Sequence, residues 1–270
     1  QSLFLQGEPP DVINVPYDFG VQLVQQGILE NVGALVGEDV LATYFPGVLA
    51  SSCSWEGEIF ALPWYLATDV MMYNRDLLER AGLDPDQPPR TGDELIQMSR
   101  VIRERLPGKF GLFQRLTEEG RLRELLARSG VPLVRRDEQG RLRAAFNTPE
   151  GVEVVRTWAQ AYRDGLIPRE SLTADHRQAI VLFMAGNTTF FISGPQFLEQ
   201  IRNDAPDVYA VTAVAPEPTW PIGVHYVEVQ QLVVADHGDT PEAQERERRA
   251  AELAAFVANG PNQLAFCRRV

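Results

Sequence analysis

ALPWYLATDVMMYNRD, residues 61–76, and the LLERAGLDPDQPPRTGDELIQMSRVIRE that follows it, residues 77–104, form the stretch that decides the fold. Residues 58–62 and 70–73 are apolar runs of strand length on either side of Pro63-Trp64, and a proline without an N–H predicts a turn there. Thr91 stands three residues before Glu94, the spacing at which each side chain satisfies the other's free backbone N–H. Leu95, Met98, Ile102 and Leu106 follow at helical intervals. Two strands about a turn and then a capped amphipathic helix are the expectation.

Outward from this stretch the alternation continues. Residues 11–15 predict a short buried strand, and 19–26 a helix ended by Gly27, where a left-handed backbone is commonly needed. Residues 38–49 read as one irregular helix. Residues 133–136 and 142–146 flank Asp137-Glu138-Gln139-Gly140 and predict a hairpin. Thr148 as cap, Pro149 at the first helical position and Gly165 as stop delimit a helix whose apolar stripe is Val152, Val155, Trp158, Ala159 and Tyr162. A helix over 174–184 and a strand over 188–192 come next. Gly194-Pro195 then opens a helix whose free N–H groups can face a ligand. Residues 208–214 and 229–234 predict strands, and 241–259 an Arg/Glu-rich helix stopped by Gly260-Pro261. Alternating strands and helices imply α/β layers with mostly parallel sheets.

Composition narrows the function. A chain of 270 residues, 44% of them hydrophobic, can fill two ordinary cores. Its 25 basic against 37 acidic residues give a net charge of −12, which disfavours a nucleic-acid partner because phosphate binding needs concentrated Lys and Arg. No apolar run reaches the roughly 18 to 20 residues of a membrane helix. Gln1 begins without a basic segment, apolar core and cleavage site, so no signal peptide is visible. Cys53 and Cys267 fit either a single disulfide or two buried thiols. His176, His225 and His237 form no ligand spacing, so neither a metal nor a cofactor is expected.

Gly57, Ile59, Phe60, Leu62, Pro63, Trp64, Asp69, Tyr73 and Asn74 fall on one family pattern, and Ala81-Gly82-Leu83, Pro88, Pro89, Thr91, Asp93, Glu94 and Leu95 on its continuation. The sequence GEPPDV from Gly7, the turn at Gly27-Ile28-Leu29, and Phe183, Gly186, Thr189, Phe191, Ile192, Ser193, Gly194 and Pro195 match further elements in the same order. Together they resemble the family 1 extracellular solute-binding proteins of ABC importers. The resemblance implies an α/β, two-lobed periplasmic-binding-protein fold of type II with a hinge and an interlobe cleft. Residues 1–68 would start lobe one, 69–227 form lobe two with the hinge crossings, and 228–270 return to lobe one. The family's opening strand and helix and its closing helices have no counterpart here, so a chain trimmed at both ends is expected.

The same resemblance implies a monomer at the periplasm or cell surface, lipid-anchored in some relatives, that delivers a sugar or polyol to permease subunits and their ATPase. Trp64 and Tyr65, at the lobe crossing, either offer flat faces to a sugar or pack into the core beside their strand. Tyr17 and Asp18 lie in the loop after the first matched strand, where Asp18 either contacts ligand or caps the helix. Asp69 either faces the cleft or holds hinge backbone. Where the family carries an aromatic after Ser-Gly-Pro, this chain has Gln196, and its Gly-Gly pair is Glu228-Val229, followed by Gln230. Gln196, Glu228 and Gln230 either make a polar wall suited to a small polyol, a monosaccharide or a cationic solute or are solvated surface residues, the default for Gln and Glu, and no motif places a cation for an anionic solute.

Two other classes stand beside this reading. A sensor or scaffold module would keep the same fold without an importer. An α/β hydrolase would need a nucleophile elbow, and Ser193 in Phe-Ile-Ser-Gly-Pro lacks it. The acidic pairs Asp84/Asp86 and Glu118/Glu119 read as solvated turn and helix-start charges rather than a catalytic dyad.

Overall fold

The computed structural model describes residues 9–116, 121–173, 175–223, 225 and 227–269. Gly7 and Glu8 of the first motif, the Glu118/Glu119 pair and Ala174 lie outside the described residues. The chain divides into two compact units, residues 1–67 with 227–270 and residues 68–226.

Unit one opens with β1 (Val12–Pro16) and α1 (Tyr17–Gln25). The helix starts two residues before the predicted Phe19, directly after the extended Pro16, and Gly27 follows it at φ 67°. The single helix expected over 38–49 is instead α3 (Glu38–Leu41) and α4 (Pro46–Ser52), with α2 (Val32–Val36) ahead of them. Pro46 causes the break: the residue before a proline is pushed out of the helical region, and Phe45 sits at φ −67°, ψ 118°. β2 (Ser54–Trp55) and β3 (Glu58–Ile59) make a hairpin through Glu56 and Gly57, both at positive φ.

β4 (Ala61–Thr68) then runs straight through Pro63-Trp64, so the turn predicted there does not exist. The proline is accommodated because β4 is the outer strand of its sheet, where a missing N–H breaks no ladder.

Unit two begins with β5 (Val70–Asn74) and α5 (Arg75–Arg80), whose cap Asn74 accepts a hydrogen bond from Leu77 N at 3.0 Å. α6 (Gly92–Arg105) carries the predicted reciprocal cap between Thr91 and Glu94. β6 (Phe110–Leu112), α7 (Arg121–Arg128) and the hairpin of β7 (Val134–Arg136) and β8 (Leu142–Ala144) follow. α8 (Pro149–Arg163) has the predicted Thr148 cap, but its buried face is Gly151, Trp158 and Ala161, while Val152 and Val155 are exposed. Trp158 fixes the facing: positions 151, 154, 158 and 161 share one side of a 3.6-residue helix, which turns 152 and 155 away.

α9 (His176–Met184) leads into β9 (Thr188–Ser193). α10 (Phe197–Asp204) begins at Phe197, not at Gly194-Pro195, with Gln196 as an N-cap that makes no side-chain capping bond. The strand expected over 208–214 is replaced by α11 (Pro206–Ala210) and β10 (Thr212–Pro216), because Pro206 occupies the first turn of a helix. The sheet order is β10-β5-β9-β6.

β11 (Val227–Val234) returns to unit one between β1 and β4. α12 (Pro241–Val257) and α13 (Gly260–Cys267) close the chain. Gly260-Pro261 therefore starts a helix instead of stopping one: Asn259 caps it, accepting from Asn262 N at 2.9 Å.

The expectation of mostly parallel sheets is corrected. β1–β11, β10–β5 and β5–β9 are antiparallel, and β6–β9 is parallel. Strands that enter a unit at the boundaries near residues 67 and 227 run opposite to neighbours heading back toward them. Both cysteines are free, Cys53 buried and Cys267 exposed, so neither the disulfide nor a pair of buried thiols is found. Among the described residues no helix is long and apolar enough to cross a membrane.

Candidate functional site

In unit one the expected residues Tyr17, Asp18, Glu228 and Gln230 come together where the end of β1 pairs with the start of β11. Pro16 pairs with Gln230 across β1 and β11, which sets Tyr17 and Asp18, at the start of α1, beside the first residues of β11. Glu228 and Gln230 alternate onto one face of that strand, and Gln230 Nε2 donates to Glu228 Oε1 at 2.6 Å. The Tyr17 ring is partly buried, 6.4 Å from Phe60. Asp18 is exposed and accepts from Phe19 N at 3.0 Å, a bond that satisfies one free donor of the first helical turn and places negative charge where the helix dipole favours it.

Trp64 and Tyr65 are half-buried and belong to a cluster of three rings that includes Phe266. Trp64 lies 5.1 Å from Tyr65, edge to face, and the Phe266 centroid is 5.8 Å from one and 5.6 Å from the other. α13 holds the cluster, since Gln263 Nε2 donates to the Pro63 carbonyl at 3.3 Å. Phe266 is a member that sequence reasoning missed, because the expected stop at Gly260-Pro261 left it outside any helix.

In unit two Asp69 lines a recess with Phe113, Arg121, Arg128, Glu217 and Trp220. The recess encloses about 30 Å³, room for a single water, so it is a wall rather than a cavity. Among the described residues the partner of the Asp69 carboxylate is Arg121, whose Nη1 lies 3.5 Å from Oδ2. Arg121 also meets Glu124 at 2.8 Å, Glu124 meets Arg128 at 3.2 Å, and Arg128 meets Glu217 at 2.6 Å. His225 Nδ1 lies 3.3 Å from the other Glu217 oxygen. The i, i+3 and i, i+4 spacings on α7 put Arg121, Glu124 and Arg128 on one side of the helix. Burial raises the Asp69 carboxyl above its ordinary range, against the attraction of Arg121.

The Trp220 ring packs 5.8 Å from Trp158 and has the Arg128 guanidinium 5.9 Å from its centroid. Gln196 is exposed and absent from the recess; its side chain folds over Gly194, where a Cβ would come within 2.2 Å of Oε1. Of the sequence candidates only Asp69 stands at this wall. Its charged partners lacked a motif, although the Arg/Glu periodicity of residues 121–128 was a usable signal.

A separate acidic group was also missed. Glu30, Asp236 and Glu247 bring carboxylate oxygens within 4.8 Å of one another, and the buried Glu247 accepts from His237 N at 2.7 Å. Burial, then repulsion by Glu247, Asp236 and Asp239, raises the Glu30 carboxyl.

Comparison with known proteins gives one consistent result. The family model for bacterial extracellular solute-binding proteins matches residues 1–263. A binding protein of Brucella abortus is 27% identical over 229 residues, 83% of this chain and 54% of its own length; the chain thus spans about half the length of the curated relatives it matches. A solved periplasmic-binding protein from Synechococcus sp. MITs9220 superimposes with a TM-score of 0.85 at 36% identity, over 99% of this chain and 64% of that one. A maltose-bound protein from T. maritima gives 0.76 at 25%, over 97% and 66%. The α/β binding-protein fold expected from the sequence is the fold shared with these structures, and they are binding proteins rather than enzymes.

Proposed function

The chain belongs to the family of bacterial extracellular solute-binding proteins, and on that premise we propose that it captures a sugar or small polyol and delivers it to the permease of an ABC importer powered by an ATPase. It works as a monomer outside the cytoplasmic membrane, in the periplasm or at the cell surface with a lipid anchor. It binds its solute and changes no bonds in it.

The observation that carries this reading is the Asp69–Arg121 pair at the rim of the unit-two wall, with side chains 18% exposed. A carboxylate accepts and a guanidinium donates, so the pair can hold neighbouring hydroxyls of one solute. Within unit one, Trp64 and Tyr65 present ring faces, and Tyr17, Asp18, Glu228 and Gln230 hydrogen-bonding groups, of the kind a sugar or polyol needs. Saturating solute should raise the melting midpoint, because a ligand bound only by the folded chain stabilises it by mass action. A thermal-shift screen against sugars, polyols, glycerol phosphates and polyamines tests the proposal. A cooperative melt unmoved by every compound would refute it.

A further inference from the structure

Unit one carries most of the chain's net negative charge. Residues 1–67 hold eight carboxylates and no Lys or Arg. The basic residues of 227–270 are Arg246, Arg248 and Arg249 on α12 and Arg268 and Arg269 near the end of the chain. The first three are already paired, with Asp11, Glu245 and Glu252.

A groove of about 590 Å³ lies in this unit between the end of α1 and the β2–β3 hairpin. Leu29, Trp55 and Phe60 line it with apolar surface, and Glu30, Glu56 and Glu58 with carboxylates; no Lys, Arg or His lines it. Exposed carboxylates of unit two have a cation at hand, as Asp76 has Arg80 and Glu199 has Arg202. Among the described residues Glu56 and Glu58 have none, and Glu30 stands beside two further carboxylates, Asp236 and Glu247.

Trp55 and Glu58 are cross-strand partners, so their side chains stand on one face of the hairpin within reach of one ligand group. The indole is half-buried against the core, and among the described residues no ring or guanidinium stacks on it. An indole face beside a carboxylate suits a guanidinium, which is planar, stacks on the ring and donates two parallel hydrogen bonds to the acid. An ammonium lacks both the plane and the fork. The apolar lining asks for methylene stems or neighbouring side chains, which a polypeptide brings and a free cation does not. The charge of the unit repels anionic surfaces and steers basic ones toward it.

We propose that this groove docks an arginine-bearing segment of a partner protein, with a guanidinium on Trp55 and its fork on Glu58, in the negative field of Glu30 and Glu56. None of the residues proposed to contact solute lines it, so docking and solute capture can fail independently.

Titration calorimetry of the full chain with acetylated, amidated tetra-arginine and tetra-lysine, and with agmatine as a single guanidinium, tests it. Tetra-arginine is expected to bind about threefold more tightly than tetra-lysine and at least about tenfold more tightly than agmatine. Glu56→Gln combined with Glu58→Gln should lower its affinity about tenfold. Glu38→Gln combined with Asp39→Asn removes the same charge from α3, outside the groove, and should change it less than about twofold. Equal losses in the two double variants would mean that the peptide reads net charge alone, which overturns the groove. Equal affinity for tetra-lysine overturns the seat on Trp55, and agmatine binding as tightly as the peptide overturns the polypeptide occupant. Trp55→Phe should keep affinity within about twofold and Trp55→Leu should lose about threefold, with circular dichroism showing both variants folded. No binding of tetra-arginine by the folded chain overturns the proposal outright.

Discussion

Arg128 Nη1 and Glu217 Oε1 meet at 2.6 Å with side chains only 5% and 6% exposed, although 89 positions separate them in the chain. The pair fastens α7 to the segment after β10, and Arg128 Nη2 adds a bond to the Pro218 carbonyl at 3.4 Å. Removing one partner of a buried pair leaves a charge that water cannot reach, which costs about 3 kcal/mol, whereas replacing both by apolar groups is often near neutral. Glu217→Leu leaves Arg128 with Glu124 as its remaining carboxylate at 3.2 Å, so it should destabilise unit two by about 1 to 3 kcal/mol, and adding Arg128→Met should recover part of the loss. Urea unfolding followed by fluorescence measures both. A loss below about 1 kcal/mol in the single variant would show that the pair is effectively solvated.

The unit-one residues separate by what else they hold. Asp18 is exposed and supports one backbone N–H, so Asp18→Ala should cost about 0.5 kcal/mol of stability while weakening solute binding about tenfold if it grips a hydroxyl. Trp64→Ala also dismantles the ring cluster with Tyr65 and Phe266, so it should lose stability and affinity together. Phe266→Leu is the control: it preserves bulk behind Trp64 and should retain most binding. Melting curves with and without solute separate these outcomes, and an Asp18→Ala chain that binds normally assigns Asp18 to the helix alone.

Much of the fold was legible because its signals are local. Thr91 with Glu94, Thr148 with Pro149, and Gly27 each fix one helix end through chemistry confined to a few residues. Strand direction was not legible, since β1 and β11 are antiparallel only because the chain re-enters its first unit at residue 227. The candidate residues divide in the same way. Trp64, Tyr65, Tyr17 and Asp18 sit in or beside a motif, while Asp69's partners come from α7 and from the segment after β10. Pro261 misled because a proline reads as a break in sequence, whereas in the fold it occupies the first turn of a helix, where its missing N–H would have been unpaired anyway; the strand expected over 208–214 left the same signal at Pro206 unused.

Gly151 shows two propensities in competition. Within a helix, Gly to Ala gains about 0.8 to 1 kcal/mol. At this position an added Cβ would lie 2.1 Å from the Phe146 carbonyl oxygen, and the backbone must shift at a cost of about 1 to 3 kcal/mol or more. The clash should win, so Gly151→Ala is expected to lower the midpoint of unit two. A rise in thermal or urea stability would show that the turn before α8 yields freely.

The two thiols should react at different rates. Burial pushes the Cys53 thiol up to about 12, which leaves almost no thiolate at neutral pH, while Cys267 is exposed. A chromogenic disulfide reagent should label one thiol per folded chain promptly and the second only on unfolding. Prompt release of two equivalents would mean that the core around Cys53 opens readily.

Glu30 supplies a pH dependence whose sign follows from its neighbours. Burial and the negative charges of Glu247, Asp236 and Asp239 raise its carboxyl in the folded chain. Between its unfolded value and that raised folded value, the native state therefore holds the proton more firmly than the unfolded state does. Stability from this group is present below the ordinary glutamate range and is lost as pH rises through the folded value. Glu30→Gln removes the repulsion, so it should stabilise the chain at neutral pH by less than about 1 kcal/mol, because solvent screens a partly exposed group. Near pH 4, where the native carboxyl is already protonated, the gain should vanish. Urea midpoints of the two chains at pH 4 and pH 7.5 decide the matter. An equal gain at both values would assign the effect to packing, and a loss at neutral pH would mean that the three carboxylates hold a cation whose binding outweighs their repulsion.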